Sequence, residues 1–164
     1  MQKLEYPTLD NLLDLKISKG FINFILNERE TINELRYWCE QPIIDWPFYI
    51  PDDVTKVVCL WSRNGDIEAC WEKNQKIEFI SIYHDQPEWD VIGNEFQIMT
   101  DLLIHLIEAE DWEDEESTYN RLQEISTKLG YDKFSELNEF HKKLDSTKSI
   151  DAQVNEFTKK WAMP

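Results

Sequence analysis

The chain has 164 residues and a mass of 19.7 kDa, which is enough for one domain with a sizeable core. Its 17 Lys and Arg residues against 33 Asp and Glu residues give a formal charge of -16, which argues against a direct nucleic-acid binder. Four glycines leave no room for a glycine-rich phosphate loop, and 41% hydrophobic residues with seven Trp exclude global disorder.

The cysteines and the apolar segments indicate the compartment. Cys39, Cys59 and Cys70 are too few for a disulfide scaffold and have no C-x-x-C spacing. The first residues lack the basic start and apolar run of a signal peptide, and the most apolar stretch, residues 99–107, is too short to cross a bilayer. The sequence therefore predicts a cytoplasmic protein with three free thiols and no membrane contact.

Two helices and a loop are predicted before the first strand. Ser18 is a suitable N-cap for the first helix, in which Phe21, Phe24 and Ile25 recur at helical spacing. The second helix is predicted to start at Thr31, with Glu34 in the capping-box position. Its apolar side contains Ile32, Leu35 and Trp38. Prolines at positions 42, 47 and 51 then predict an extended, ordered loop.

An Asn64-Gly65 turn predicts a β-hairpin between residues 56–61 and 67–71, because both central positions of a type I′ turn need positive φ. Counting from this turn places Cys59 opposite Cys70 and Val58 opposite Trp71. The side chains expected on the core face are Val58, Leu60, Ile67, Ala69 and Trp71. Those expected on a mixed, partly wet face are Cys59, Trp61, Glu68, Cys70 and Glu72.

The remaining elements complete an α+β fold. A third strand is predicted over residues 76–83, a short edge strand over 89–92 and a long amphipathic helix over 95–110. Two or three further helices follow, the first of them ending at Gly130. We therefore expect a single domain, 1–164, with a small and mostly antiparallel sheet, N-terminal helices and a C-terminal helical extension over about 114–164.

The acidic residues are concentrated in one part of the chain. Residues 77–120 contain 13 Asp and Glu and no Lys or Arg, and residues 108–116 contain seven of these carboxylates. One interpretation is a solvated loop, yet Trp89 and Trp112 lie within the acidic segments, and a large ring needs the core or a partner to cover it. Acids around aromatic anchors suit a protein interface. The predicted partner-binding residues are Asp85, Glu88, Trp89, Asp90, Glu108, Glu110, Asp111, Trp112, Glu113, Asp114, Glu115 and Glu116.

Catalytic and metal-binding patterns are largely missing from the sequence. No G-x-S-x-G, H-E-x-x-H or EF-hand spacing occurs, and the three histidines are not at metal-ligand spacing from one another. His105 follows Asp101 by four residues, and His84 precedes Asp85, but both pairs are more typical of structural contacts. We therefore predict no catalytic residues, no metal and no cofactor.

Six short segments carry a resemblance to a known superfamily. They are residues 20–26 (GFINFIL), 48–51 (FYIP), 57–61 (VVCLW, followed by Gly65-Asp66), 79–82 (FISI), 91–96 (VIGNEF) and 102–107 (LLIHLI). Over about residues 19–110 the chain resembles the SUKH superfamily of α+β domains. Many bacterial members are immunity proteins against polymorphic toxins, and eukaryotic relatives act in cell-wall regulation. The resemblance implies a binding module with no catalytic residues.

Three functions are compatible with these features. The first is a non-enzymatic immunity-type protein that neutralises a basic toxin, for example a nuclease, through its acidic surface. The second is an intracellular regulatory scaffold for endogenous basic proteins, and the third is a metal-assisted hydrolase built on clustered carboxylates.

Overall fold

A four-stranded antiparallel sheet organises the N-terminal part of the chain. The computed structural model describes residues 4–44, 48–109 and 114–161. The strands, in the spatial order β1-β2-β3-β4, are β1 Val54–Arg63, β2 Asp66–Lys73, β3 Lys76–Ile82 and β4 Trp89–Gly93. All three strand pairs are antiparallel, and helices precede and follow the sheet in the chain. The predicted α+β class is confirmed, as are the third strand and the edge strand.

The predicted turn forms the tip of the first hairpin. Asn64 has φ 53° and Gly65 has φ 90°, the left-handed values that a type I′ turn requires. Next to the turn the pairing follows the predicted register, with Ser62 opposite Ile67 and Trp61 opposite Glu68. The local turn chemistry therefore fixes the first pairs of the hairpin.

Beyond Trp61 the predicted register is wrong because β1 contains a bulge at Leu60. Cys59 lies opposite Ala69, not Cys70, and Val58 lies opposite Cys70. A bulge sets two residues against one on the partner strand, so the β1 side chains from Lys56 to Cys59 change face. A second register shift between Val54 and Lys56 returns Val54 to the core face. Val57 and Cys59 consequently belong to the cluster of Ile67, Ala69 and Trp71, whereas Val58 and Leu60, which the sequence predicts for that face, are fully buried outside this cluster.

Both faces of the sheet are covered. One face belongs to a buried cluster of Leu4, Phe48, Val54, Val57, Cys59, Ile67, Ala69, Trp71, Ile80 and Ile82. On the other face, the rings of Phe21 and Phe24 pack edge-on against Trp61 at 6.1 and 6.3 Å between centroids. Trp61 and Glu68 are 2% and 4% exposed, so the expected wet face is instead buried under aromatic side chains of the N-terminal helical segment.

The first predicted helix is present, and an additional one precedes it. Helix α1, Leu9–Asp14, is capped by Thr8, and α2, Lys19–Asn23, begins at Ser18, whose Oγ accepts the Phe21 N–H. A π-helical turn, Phe24–Glu28, continues α2. The prediction of a helix that starts at Thr31 is wrong. Two single 3₁₀ turns occupy Arg29–Thr31 and Asn33–Leu35, separated by extended Ile32.

Hydrogen bonds explain why residues 31–38 do not form a helix. The Thr31 hydroxyl donates to the Glu28 carbonyl at 2.7 Å, and the 3₁₀ turn that follows has no side-chain cap. Farther along, the buried Arg29 guanidinium donates to the carbonyl of Glu40 at 2.8 Å, and Glu40 also exchanges backbone hydrogen bonds with Ser62 of β1. These long-range contacts hold this segment against the sheet.

The C-terminal part of the chain is helical. Its helices are α3 Glu95–Glu108, α4 Glu115–Leu129, α5 Phe134–Lys142 and α6 Ile150–Trp161. Gly130 ends α4 at φ 81°, as the sequence predicts. Stacked rings link the helices, with Phe96 on Tyr131 at 4.9 Å and Phe140 on Phe157 at 4.6 Å. Among the described residues, no helix is both long enough and apolar enough to cross a membrane.

The chain divides into two compact units, Met1–Glu95 and Phe96–Pro164. The sequence reading placed the change from core to helical extension near residues 110–114. Almost all of α3 groups with the C-terminal helices. The sheet with α1 and α2 therefore forms one unit, and four helices form the other.

Candidate protein-binding surface

The predicted partner-binding residues are divided between the two units. In the first unit Asp85, Glu88 and Asp90 are exposed and Trp89 is half-buried. In the second unit Glu108, Asp114, Glu115 and Glu116 are exposed. The other predicted residues, Glu110, Asp111, Trp112 and Glu113, lie outside the described residues. The acidic candidates that the structure describes all face solvent.

The acids of the first unit surround strand β4. Asp85 and Glu88 lie in the connection from β3, and within the described chain no Lys or Arg comes within ion-pair distance of either carboxylate. Asp90 accepts a hydrogen bond from the Tyr83 hydroxyl at 2.5 Å. This bond is the main reason why the pKa of Tyr83 rises to about 12. The negative charge of Asp85 and Glu88 is thus available to a partner.

Trp89 has a packing role in its own unit. Its ring stacks on Tyr49 and meets Trp71 edge-on, each at 5.7 Å between centroids. Lys73 Nζ lies 5.8 Å from the same ring, within the range of a cation–π contact. Only part of the indole is therefore left for a partner, and Tyr49, 55% exposed, extends the aromatic surface outward.

A histidine and two aspartates meet at the end of the first hairpin. His84 Nδ1 lies 2.7 Å from Asp66 Oδ1, and one ligand atom each from Asp66, His84 and Asp85 lie within 4.8 Å of one another. The hydrogen bond to Asp66 is the main cause that raises the pKa of His84 above its ordinary value. Because a metal ion would have to displace the proton that this hydrogen bond stabilises on the imidazole, the contact with Asp66 opposes metal binding by His84.

The acids at the start of α4 have structural partners. Asp114 is the N-cap of α4 and accepts the Ser117 N–H at 2.8 Å, which holds the pKa of Asp114 below its usual value. Glu115 pairs with Lys142 of α5 at 2.7 Å. The same contact lowers the pKa of Glu115 and raises that of Lys142. Asp114 therefore caps α4 and Glu115 links α4 to α5, and both also add negative charge.

A cleft of about 730 Å³ lies in the second unit beside these acids. Ile107, Tyr119 and Leu122 contribute apolar surface, and His141 and Lys142 contribute polar atoms. His141 Nε2 is 3.5 Å from Glu108 Oε1. Four carboxylates, those of Asp114, Glu115, Glu116 and Glu139, line the cleft with the single ammonium of Lys142, so the cleft is predominantly acidic.

The other histidine pair is a helix contact. His105 Nδ1 lies 3.5 Å from Asp101 Oδ2 and 2.7 Å from the Asp101 carbonyl oxygen, and both residues are on one side of α3. This geometry fits the i, i+4 contact expected from the sequence.

Sequence reasoning missed Asp66, Tyr49 and Lys142 as parts of these surfaces. Asp66 directly follows the Asn64-Gly65 turn, and the antiparallel register of β2 and β3 carries it to His84, so the turn was a usable signal. Tyr49 and Lys142 reach their partners through tertiary packing. The sequence carries no local signal for that packing.

Comparisons with known proteins yield no relative of this chain. It matches no protein-family model, no curated protein and no solved structure. The function must accordingly be inferred from the chemistry of the surface.

Proposed function

We propose that this chain is a non-enzymatic protein-binding module of the SUKH immunity type, which neutralises a basic toxin through its acidic surface. The single observation that carries the proposal is the run of residues 77–120. It has 13 acids and no Lys or Arg, and its described candidate carboxylates are exposed. A field of one sign accelerates the encounter with a partner of the opposite sign.

Folding alone does not account for this charge distribution. Seven carboxylates within residues 108–116 repel one another. Of the four that the structure describes, Glu108 contacts His141, Asp114 caps α4 and Glu115 pairs with Lys142, whereas Glu116 has no ion pair. In the first unit, Asp85 and Glu88 gain no contact with Lys or Arg among the described residues. Charge that the fold does not neutralise is available to a partner.

The best variants to test the proposal are in the first unit. Reversing Asp114 would remove the α4 N-cap, and reversing Glu115 would place a second ammonium beside Lys142, so either change alters stability as well as charge. Asp85→Lys with Glu88→Lys affects neither the cap nor the pair with Lys142, and its effect on the neighbouring His84 is seen in the pKa of that imidazole. Asp52→Lys with Glu156→Lys is the matched control, because both residues are exposed, lie outside residues 77–120 and give the same change in net charge.

The experiment begins with affinity capture from the source organism and identification of the bound protein. Association of the purified partner is then measured with the native chain and with both double variants at low and high salt. We expect a basic partner whose activity is inhibited by this chain. Its association rate should fall about tenfold at low salt with Asp85→Lys/Glu88→Lys and change little with the control.

Two results would contradict the proposal. One is a partner whose association depends on neither salt nor the Asp85 and Glu88 substitutions. The other is a captured partner that keeps its full activity when bound, which would favour a regulatory scaffold over an immunity protein. Hydrolytic activity of the purified chain, lost on treatment with a chelator, would instead support the metal-dependent hydrolase.

A further inference from the structure

Strand β4 is an edge of the sheet. It pairs with β3 on one side, and within the described residues no strand pairs with its other side. The opposite edge of the sheet differs, since β1 receives bridges from Glu5 to Val58 and from Glu40 to Ser62. Of the two edges, β4 is thus the one open to an added strand.

The hydrogen-bonding pattern shows which backbone groups of β4 point outward. The Tyr83 N–H donates to the Glu88 carbonyl at 3.3 Å, and the register then places Ser81 opposite Asp90. Hydrogen-bonded and non-hydrogen-bonded pairs alternate along an antiparallel ladder. Trp89 and Val91 therefore direct their N–H and C=O groups away from β3. Among the described residues, nothing bonds to these outward groups.

The two faces of this edge differ in chemistry. Val91 is 53% exposed and lies on the same face as Trp89, on which the exposed Tyr49 stacks. Asp90 lies between Trp89 and Val91 in the chain and so projects to the opposite face. With Glu88 just before the strand, the edge presents apolar groups on one face and carboxylate on the other.

The charge near β4 indicates which kind of strand can pair with this edge. A second copy of this chain paired through β4 would bring Glu88 and Asp90 close to their equivalents, and like charges oppose such pairing. A strand in which Lys or Arg alternates with apolar residues matches both faces. Resting on the function proposed above, we infer that β4 binds an extended segment of the basic partner as a fifth strand, with apolar side chains beside Val91 and cationic ones beside Asp90.

A capped peptide of about seven residues in which Lys and Val alternate is a direct probe. The control peptide has the same number of Lys residues but Pro in place of Val, which keeps the charge and prevents strand pairing. Amide hydrogen exchange of the full chain is followed by NMR. With the alternating peptide, we expect exchange at Trp89 and Val91 to slow by about tenfold or more, because these N–H groups enter a ladder. The Asp90 amide, already bonded to β3, should change little.

Two substitutions at one position complete the test. Val91→Pro removes an outward N–H without removing a bond to β3. Edge strands tolerate proline at such positions. It should weaken peptide binding about tenfold or more, whereas Val91→Thr keeps the N–H and the β-branched shape and should bind within about threefold of the native chain. The exchange experiment on the native chain does not depend on the folding of either variant.

The outcomes separate this inference from the proposed function. Equal, salt-dependent binding of both peptides, or binding without protection of Trp89 and Val91, would overturn strand addition while leaving the acidic surface as the partner site. The absence of saturable binding at about millimolar peptide would also overturn strand addition. If the alternating peptide protects the Trp89 and Val91 amides of the Asp85→Lys/Glu88→Lys variant as strongly as those of the native chain, the bound segment does not need positive charge. That result would overturn the choice of a basic partner.

Discussion

Asp66 holds His84 through a single carboxylate oxygen. The backbone N–H of His84 lies 3.1 Å from Asp66 Oδ1, and the ring Nδ1 lies 2.7 Å from the same atom. The ring also lies over the turn, since a Cβ added to Gly65 would come within 3.2 Å of it. The end of β3 is thereby attached to the tip of the β1–β2 hairpin.

This attachment predicts a pH dependence. The bond to Asp66 raises the pKa of His84 above its ordinary value of 6.5, and the charge of Asp85 acts in the same direction. When the pKa is higher in the folded state, the contact contributes its full stability below the unfolded pKa and loses it as pH rises through the folded pKa. Stability from this contact should therefore decline from about pH 6.5 upward.

NMR titration of the His84 ring checks this prediction. The midpoint should lie above 6.5 in the native chain and fall in Asp66→Asn, whereas Asp101→Asn, which changes a carboxylate beside a different histidine, should leave it unchanged. A native midpoint at or below 6.5, or one unaffected by Asp66→Asn, would show that the imidazole is not held as an ion pair.

Trp89 should contribute to stability as well as to any interface. Trp89→Ala removes the ring that contacts both Tyr49 and Trp71, so the free energy of unfolding should fall by about 3 kcal/mol. Val91→Ala, at an exposed position on the same face, should cost about 0.5 kcal/mol. Urea unfolding measures both values. A loss for Trp89→Ala as small as that for Val91→Ala would mean that the indole is available mainly to a partner.

The three thiols should be unreactive in the native chain. Cys39, Cys59 and Cys70 are free and buried, and burial raises the pKa of all three, to about 12 for Cys59 and Cys70. Thiolate is the reactive form, so alkylation at neutral pH should be negligible before unfolding. Intact-mass measurement should then count three alkylated cysteines after denaturation without reductant. A count of one, or rapid labelling of the native chain, would contradict this prediction.

Local interactions made much of the fold predictable from the sequence. The Asn64-Gly65 turn predicts the hairpin because positive φ at both positions depends on those two residues alone. Ser18 and Gly130 likewise mark the ends of helices through hydrogen bonds and backbone angles within one turn. The concentration of acids in residues 77–120 is a property of the sequence itself, and the exposure of its described candidates agrees with it.

Other features depended on contacts between distant residues. The bulge at Leu60 reassigned Val57 and Cys59 to the core, and packing of Phe21 and Phe24 on Trp61 buried a face that the hairpin alone would leave wet. The open edge at Trp89 and Val91 likewise exists only because β4 is last in the sheet. Sequence determines what each short segment can form and what charge it carries. Which faces and backbone groups reach solvent is decided when all segments compete to bury apolar surface and satisfy hydrogen bonds at once.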